Sequence, residues 1–170
     1  MDICELILKD HATQRTLFAL LEEVDRSNKP QLEAIWNHLG AFLETHAEAE
    51  ERILYPEVLK HGSGAGGKAD PPAEVRDAIK DHNQIRDAVA AVAKHAVGSD
   101  AWITAVDHAN EVNSEHMGEE EIQGLTDMRR NTSLEFRHEL GARFAAFDAA
   151  HVNGVKPVDK DPSTYIKQNS

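Results

Sequence analysis

The chain repeats itself. DHATQR at residues 10–15 returns as DHNQIR at 81–86, and HAEAEE at 46–51 returns as HMGEEE at 116–121. The offsets are 71 and 70, so one half of the sequence has been used twice. A fold built from such a chain must place Asp-His-x-x-x-Arg and His-x-x-x-Glu-Glu at equivalent positions in two halves. The repeat therefore constrains topology and candidate site together.

Everything around the repeats reads as helix. Apolar residues recur at three- and four-residue intervals over spans near 2–26, 31–60, 72–97 and 100–128. Pro30 suits a helix start, GSGAGGKADPP at 62–72 reads as a flexible loop, and Gly98-Ser99 closes one helix and caps the next. No stretch alternates with period two long enough to suggest a sheet. A fifth, shorter helix is expected from about 133 to 151, with Thr132 and Glu135 spaced as a capping box. The expected fold is all-α: an up-down-up-down four-helix bundle over 1–130, an additional C-terminal helix over 131–151, and a poorly ordered, flexible tail over 152–170.

Composition narrows the function classes. At 170 residues the chain is long enough to bury a real core as one domain. A formal net charge of −12 leaves no basic stripe to neutralise phosphates, which argues against a nucleic-acid partner. The start, MDICELILKDH, reads as neither a signal peptide nor a membrane span. Cys4 is the single cysteine, so no intramolecular disulfide and no cysteine-based metal site is expected, and a cytoplasmic setting is the default.

The histidines of the repeats fall on the apolar stripes, not opposite them. His46 and Glu50 continue Leu32, Trp36, Leu39 and Leu43; His116 and Glu120 continue Trp102, Val106, Ala109 and Val112. Residues four apart share a helix face, so each pair presents a nitrogen and a carboxylate to one point. His82 continues Val75, Ile79 and Val89, and His11 continues Cys4, Ile7 and Phe18. His11 and His82 both lie ~14 Å from the start of their helices at 1.5 Å per residue, and His46 and His116 fall near the middle of the other two. Four histidines and two glutamates thus converge at one level. Without a cation, two buried carboxylates would cost several kcal/mol each, against a net domain stability of about 5–15 kcal/mol. The donor set exceeds what tetrahedral zinc needs. Mixed imidazole and carboxylate in a bundle core suits a dinuclear iron site, with manganese the less favoured alternative. A metal-free polar core remains the structural alternative.

These motifs, Asp10-His11, His46-x-x-x-Glu50, Leu54-Tyr55-Pro56, Asp81-His82 and His116-x-x-x-Glu120, resemble the hemerythrin-like (HHE cation-binding) family over residues 1 to about 125. The resemblance implies a bundle holding two iron ions with a bridging oxo or hydroxo group, and partners such as O₂, hydrogen peroxide or nitric oxide. It departs from the oxygen carriers in two places. Their fifth histidine, one turn after His82, is Arg86 here, and their His-x-x-x-x-Asp is His116-x-x-x-Glu120. An arginine cannot ligate a metal. Water, Glu51, Glu121 or Tyr55 are the candidates for the missing ligand. A straight helix puts Tyr55 ~180° from His46, but Pro56 can distort that turn. Arg15 and Arg86 are expected to pair with the bridging or the outer glutamates in preference to pointing to solvent, and Asp10 and Asp81 to serve as caps or surface groups. His38 and His108 repeat at 70 but lie two turns before the candidate ligands, and His61, His95, His138 and His151 follow no pattern. Two functional readings remain: a peroxidase-like or catalase-like oxidoreductase acting on small oxidants, or a non-catalytic oxygen or iron binding or sensing protein.

Overall fold

The computed structural model describes residues 1–67 and 70–170. Among them the elements are helical: α1 (Ile3–Glu23), α2 (Lys29–Ala49), a π-helical segment (Glu50–Leu54), α3 (Tyr55–His61), α4 (Pro71–Val92), α5 (Asp100–Ile122), α6 (Gly124–Asn131), α7 (Leu134–Ala150) and α8 (Pro162–Asn169). No helix among the described residues is long and apolar enough to cross a membrane.

Local chemistry sets the boundaries. Asp2 caps α1 by accepting from the Cys4 N–H at 2.9 Å, and Asn28 and Ser99 cap α2 and α5. Prolines occupy the first turns of α2, α4 and α8, where a missing N–H costs nothing. The span expected at 31–60 is three elements in sequence, and the span at 100–128 breaks at Gln123 (φ −95°, ψ −88°) into α5 and α6. The loop expected at 62–72 runs from Gly62 to Asp70, α4 beginning at Pro71; its residues 68 and 69 lie outside the described residues.

Two expectations are corrected. Ser133, not Thr132, caps α7, accepting from the Phe136 N–H; the Thr132 hydroxyl donates to the Met128 carbonyl and finishes α6. The tail is not a flexible run. Its last part forms α8, which packs on α4 and buries Tyr165. Eight residues carry too little periodicity to announce a helix, and one buried tyrosine with a capping Asp161 is enough to dock it.

α1 packs on α2 and α5, and α4 packs on α5 and α2. Two apolar clusters result. One gathers Ile3, Ile7, Leu54, Ile79, Leu125 and Phe144; the other gathers Phe18, Leu32, Trp36, Leu39, Trp102 and Val106. Along α1, α2 and α4, and from α5 on into α6, the buried side chains pass from one cluster to the other through a polar layer containing His11, His46, Glu50, His82, His116 and Glu120. The fold thus holds that layer between two hydrophobic floors.

α7 crosses the start of α1 at Gly141, where a Cβ would land on the Met1 carbonyl oxygen and 3.1 Å from the Ile3 nitrogen. Gly141→Ala should therefore lower stability by roughly 1–3 kcal/mol, the backbone overlap outweighing the ~1 kcal/mol gain in helix propensity. The midpoint of urea unfolding measures it; an unchanged or raised midpoint would contradict the close crossing.

Candidate metal centre

Three histidines of the polar layer are hydrogen-bonded from outside by a carboxylate at Nδ1, and the fourth, His116, faces one there, which leaves Nε2 directed inward. His46 Nδ1 meets Asp10 at 3.2 Å, His11 Nδ1 meets Glu121 at 3.0 Å, and His82 Nδ1 meets Glu51 at 2.8 Å. His116 Nδ1 lies 3.6 Å from Asp81. A carboxylate at Nδ1 keeps the proton there and frees Nε2 as a donor of electrons. Asp10 and Asp81 do not cap their helices; 18% and 28% exposed, each reaches from the half-buried rim to the histidine of a neighbouring helix. Arg15 and Arg86 secure the outer glutamates, Arg15 to Glu121 at 2.7 Å and Arg86 to Glu51 at 2.9 Å.

Glu51 and Glu121 therefore act outside the histidines and do not reach the centre. Inside, His46 Nε2 lies 2.9 Å from Glu50 Oε1, His82 Nε2 3.3 Å from Glu50 Oε2, and His11 Nε2 3.3 Å from Glu120 Oε2. These approaches are close but misaligned for hydrogen bonding. Nε2 of His11 and of His46, and both oxygens of Glu50 and of Glu120, are buried without a hydrogen-bond partner. Buried polar atoms are rarely left so. The donors fall into two groups that could hold a metal ion: His11, His46, Glu50 and Glu120 in one, and Glu50, His82 and His116 in the other. Glu50 belongs to both. His82 Nε2 and His116 Nε2 are 3.0 Å apart, which is about the separation of two donors at a right angle ~2.1 Å from one cation. All six residues anticipated from the stripes are thus brought together, and the donor set fits a pair of cations.

Tyr55 also points inward, its hydroxyl 3.3 Å from His82 Nε2. The π-helical segment is the reason. The Tyr55 N–H donates to the Glu50 carbonyl, an i→i+5 bond that inserts one residue into the turn and rotates Tyr55 over Glu50. Pro56 is the signal in the sequence: lacking an N–H, it cannot complete an α-turn to Arg52. His38 and His108 lie off the centre. His38 stacks near Phe42, and His108 sits exposed beside Glu111.

Electrostatics follow from the burial. Burial opposes the charge on Glu50, but His46 and His82 outweigh it and hold the carboxyl well below its ordinary range. Burial also opposes protonated His82, yet Glu50 and Glu51 raise it from 6.5 to about 9; Glu50 and Asp10 likewise hold His46 well above its ordinary value. Burial, with Glu120, Glu50 and Glu51 nearby, pushes the Tyr55 hydroxyl well up. In the metal-free protein, protons on histidine supply the positive charge the centre needs.

Residues 2–123 match the family of the hemerythrin HHE cation binding domain, and the chain belongs to that family. It is thereby a cation-binding domain whose His/Glu groups could hold a metal. No curated protein and no solved structure matches the chain.

The raised histidines fix a sign for stability against pH. Their contribution to the metal-free protein is complete below the ordinary value of 6.5 and is lost as pH rises through about 9. The urea midpoint of metal-free protein should fall across that window, and His82→Gln should flatten the fall. A midpoint that rises with pH there would contradict the assignment.

Proposed function

We propose that the protein is a non-haem di-iron protein reacting with small oxidants, O₂, hydrogen peroxide or nitric oxide, on an up-down-up-down bundle of α1, α2, α4 and α5. The observation that carries this is Glu50: one fully buried carboxylate shared by two donor groups, its two oxygens without hydrogen-bond partners. His11, His46 and Glu120 would hold one ion, His82, His116 and Tyr55 the other, with Glu50 between them and an oxo or hydroxo bridge completing the pair. Iron suits four imidazoles and a phenol better than manganese does. The irons would supply the redox electrons and the Lewis acidity that draws in an oxygen-containing ligand.

The chain's own residues set what reaches the centre. A cavity of about 20 Å³ abuts Tyr55, His116 and Glu120 and is walled by Val58, Val75 and Ala78. That space suits one or two water-sized molecules, the size of O₂, peroxide or nitric oxide. Tyr55 Oη stands beside both His82 and this cavity, where it can hold or pass a proton. The outer carboxylates keep each imidazole in one orientation, so the donors need no rearrangement when a cation arrives. Cys4, buried and without a disulfide partner, suits a reducing cytoplasmic setting.

Protein isolated from iron-supplemented cells should contain two irons per chain, and Glu50→Ala should retain fewer than half of them. Tyr55→Phe should keep both irons but lose a visible phenolate-to-iron absorption. The wild type should consume added peroxide repeatedly. Two irons with no consumption of peroxide would favour oxygen or iron binding or sensing over turnover, and no stoichiometric metal in folded protein would end the proposal.

A further inference from the structure

The two halves of the centre are built alike but are not supported alike. On the His11 side, Glu121 and its partner Arg15 are open to solvent, with side chains 28% and 46% exposed. On the His82 side, Glu51 and Arg86 are 0% and 5% exposed. Two things make the difference. Arg86 is shared with buried Glu44 at 3.0 Å. The rest of the cover comes from residues beyond the family match, in the C-terminal segment.

That segment makes three contacts with the His82 side. The Lys160 ammonium pairs with Glu51 and, at 2.5 Å, with Glu48. The Lys160 backbone is bracketed by Asn83, next to His82 on α4: Asn83 Nδ2 donates to the Lys160 carbonyl at 2.8 Å and the Lys160 N–H donates to Asn83 Oδ1 at 3.1 Å. The Tyr165 hydroxyl donates to the Glu51 backbone carbonyl. This last bond meets a need created by the π turn. Because the Tyr55 N–H goes to Glu50, the Glu51 carbonyl next faces Pro56, which has no N–H to give. Tyr165 supplies the missing donor from α8.

We propose that residues 152–170 are a clasp that holds the π turn and His82 in place, making the His82 half of the centre the tighter of two inequivalent cation sites. Lys160 and Tyr165 are positioning residues: they act on the metal through Glu51, His82 and Tyr55 and do not touch it. The His11 half, whose outer carboxylate is secured among the described residues by the solvent-exposed Arg15, is the site that exchanges first. This inference rests on the two-cation reading given above.

The test is release of iron from the full-length, iron-loaded protein to excess chelator, followed by absorbance. Wild type should lose one iron fast and one slowly, with the phenolate absorption disappearing in the slow phase. Lys160→Met should speed the slow phase about 10-fold, the low end of the effect of removing a partner directly behind a ligand because Arg86 still holds Glu51, and leave the fast phase unchanged. Lys160→Arg should restore it. Tyr165→Phe, which removes one hydroxyl and keeps the packing, should speed the slow phase several-fold, and Arg15→Met should speed the fast phase alone. Release of two irons in a single phase, or equal acceleration of both phases by Lys160→Met, would overturn the clasp while leaving the di-iron reading intact. Fewer than two irons in the wild type would overturn that reading and the clasp with it.

Discussion

The structure depends on the burial of one negative charge. Glu50 sits at the level where four helices meet, with no access to water. An uncompensated carboxylate there would cost several kcal/mol, a large part of the net stability of a domain. Compensation proceeds in layers. His46 and His82 face Glu50; Asp10 and Glu51 face those histidines from behind; Arg86 and Lys160 face Glu51; and Glu48 meets Lys160 toward the surface. Each layer reverses the sign of the one inside it. The acidic excess of the sequence is thus partly internal, spent on holding imidazoles in place.

The second constraint is geometric. A regular α-helix can carry His46 and Glu50 on one face, yet the same regularity would send Tyr55 to the opposite side. The π turn resolves this by one residue, and Pro56 makes the extra residue cheap by having no α-turn bond to lose. The cost appears at the Glu51 carbonyl, which loses its partner within the helix. That cost is met from α8, so a local irregularity at the centre is tied to a segment more than a hundred residues away.

Much of the arrangement was legible because it is periodic. Helical spacing put His46, Glu50, His116 and Glu120 on apolar stripes, and counting residues along the helices put His11 and His82 at the same height. What periodicity does not encode is rotation between helices. Asp10 precedes His11 by one position and so faces elsewhere on α1; only the packing of α1 against α2 shows that elsewhere is His46. The same limit hid Glu51, which looked like a spare ligand and is an orienting group. Lys160 was illegible for a further reason: it lies in a stretch without secondary structure, and its ammonium is given a fixed address by the Asn83 bonds to its backbone and the docking of Tyr165.

The duplication and its breaking belong together. Two similar halves converge on a centre with matched histidines, matched outer carboxylates and matched arginines. The position 70 residues beyond Tyr55 is Leu125, a fully buried side chain with no donor atom, in a helix that follows a break instead of a π turn. The phenol therefore exists on one side only, and so does the C-terminal cover. Symmetry brings six donors to one level with little sequence information, since one solution serves twice. Asymmetry then gives one half a phenol, a deeper outer shell and a small cavity beside it, while the other keeps an outer pair in contact with solvent. On the two-cation reading proposed above, a centre whose halves differ in this way would have one position suited to being held and one suited to change, and the difference is written in residues that the repeat does not contain.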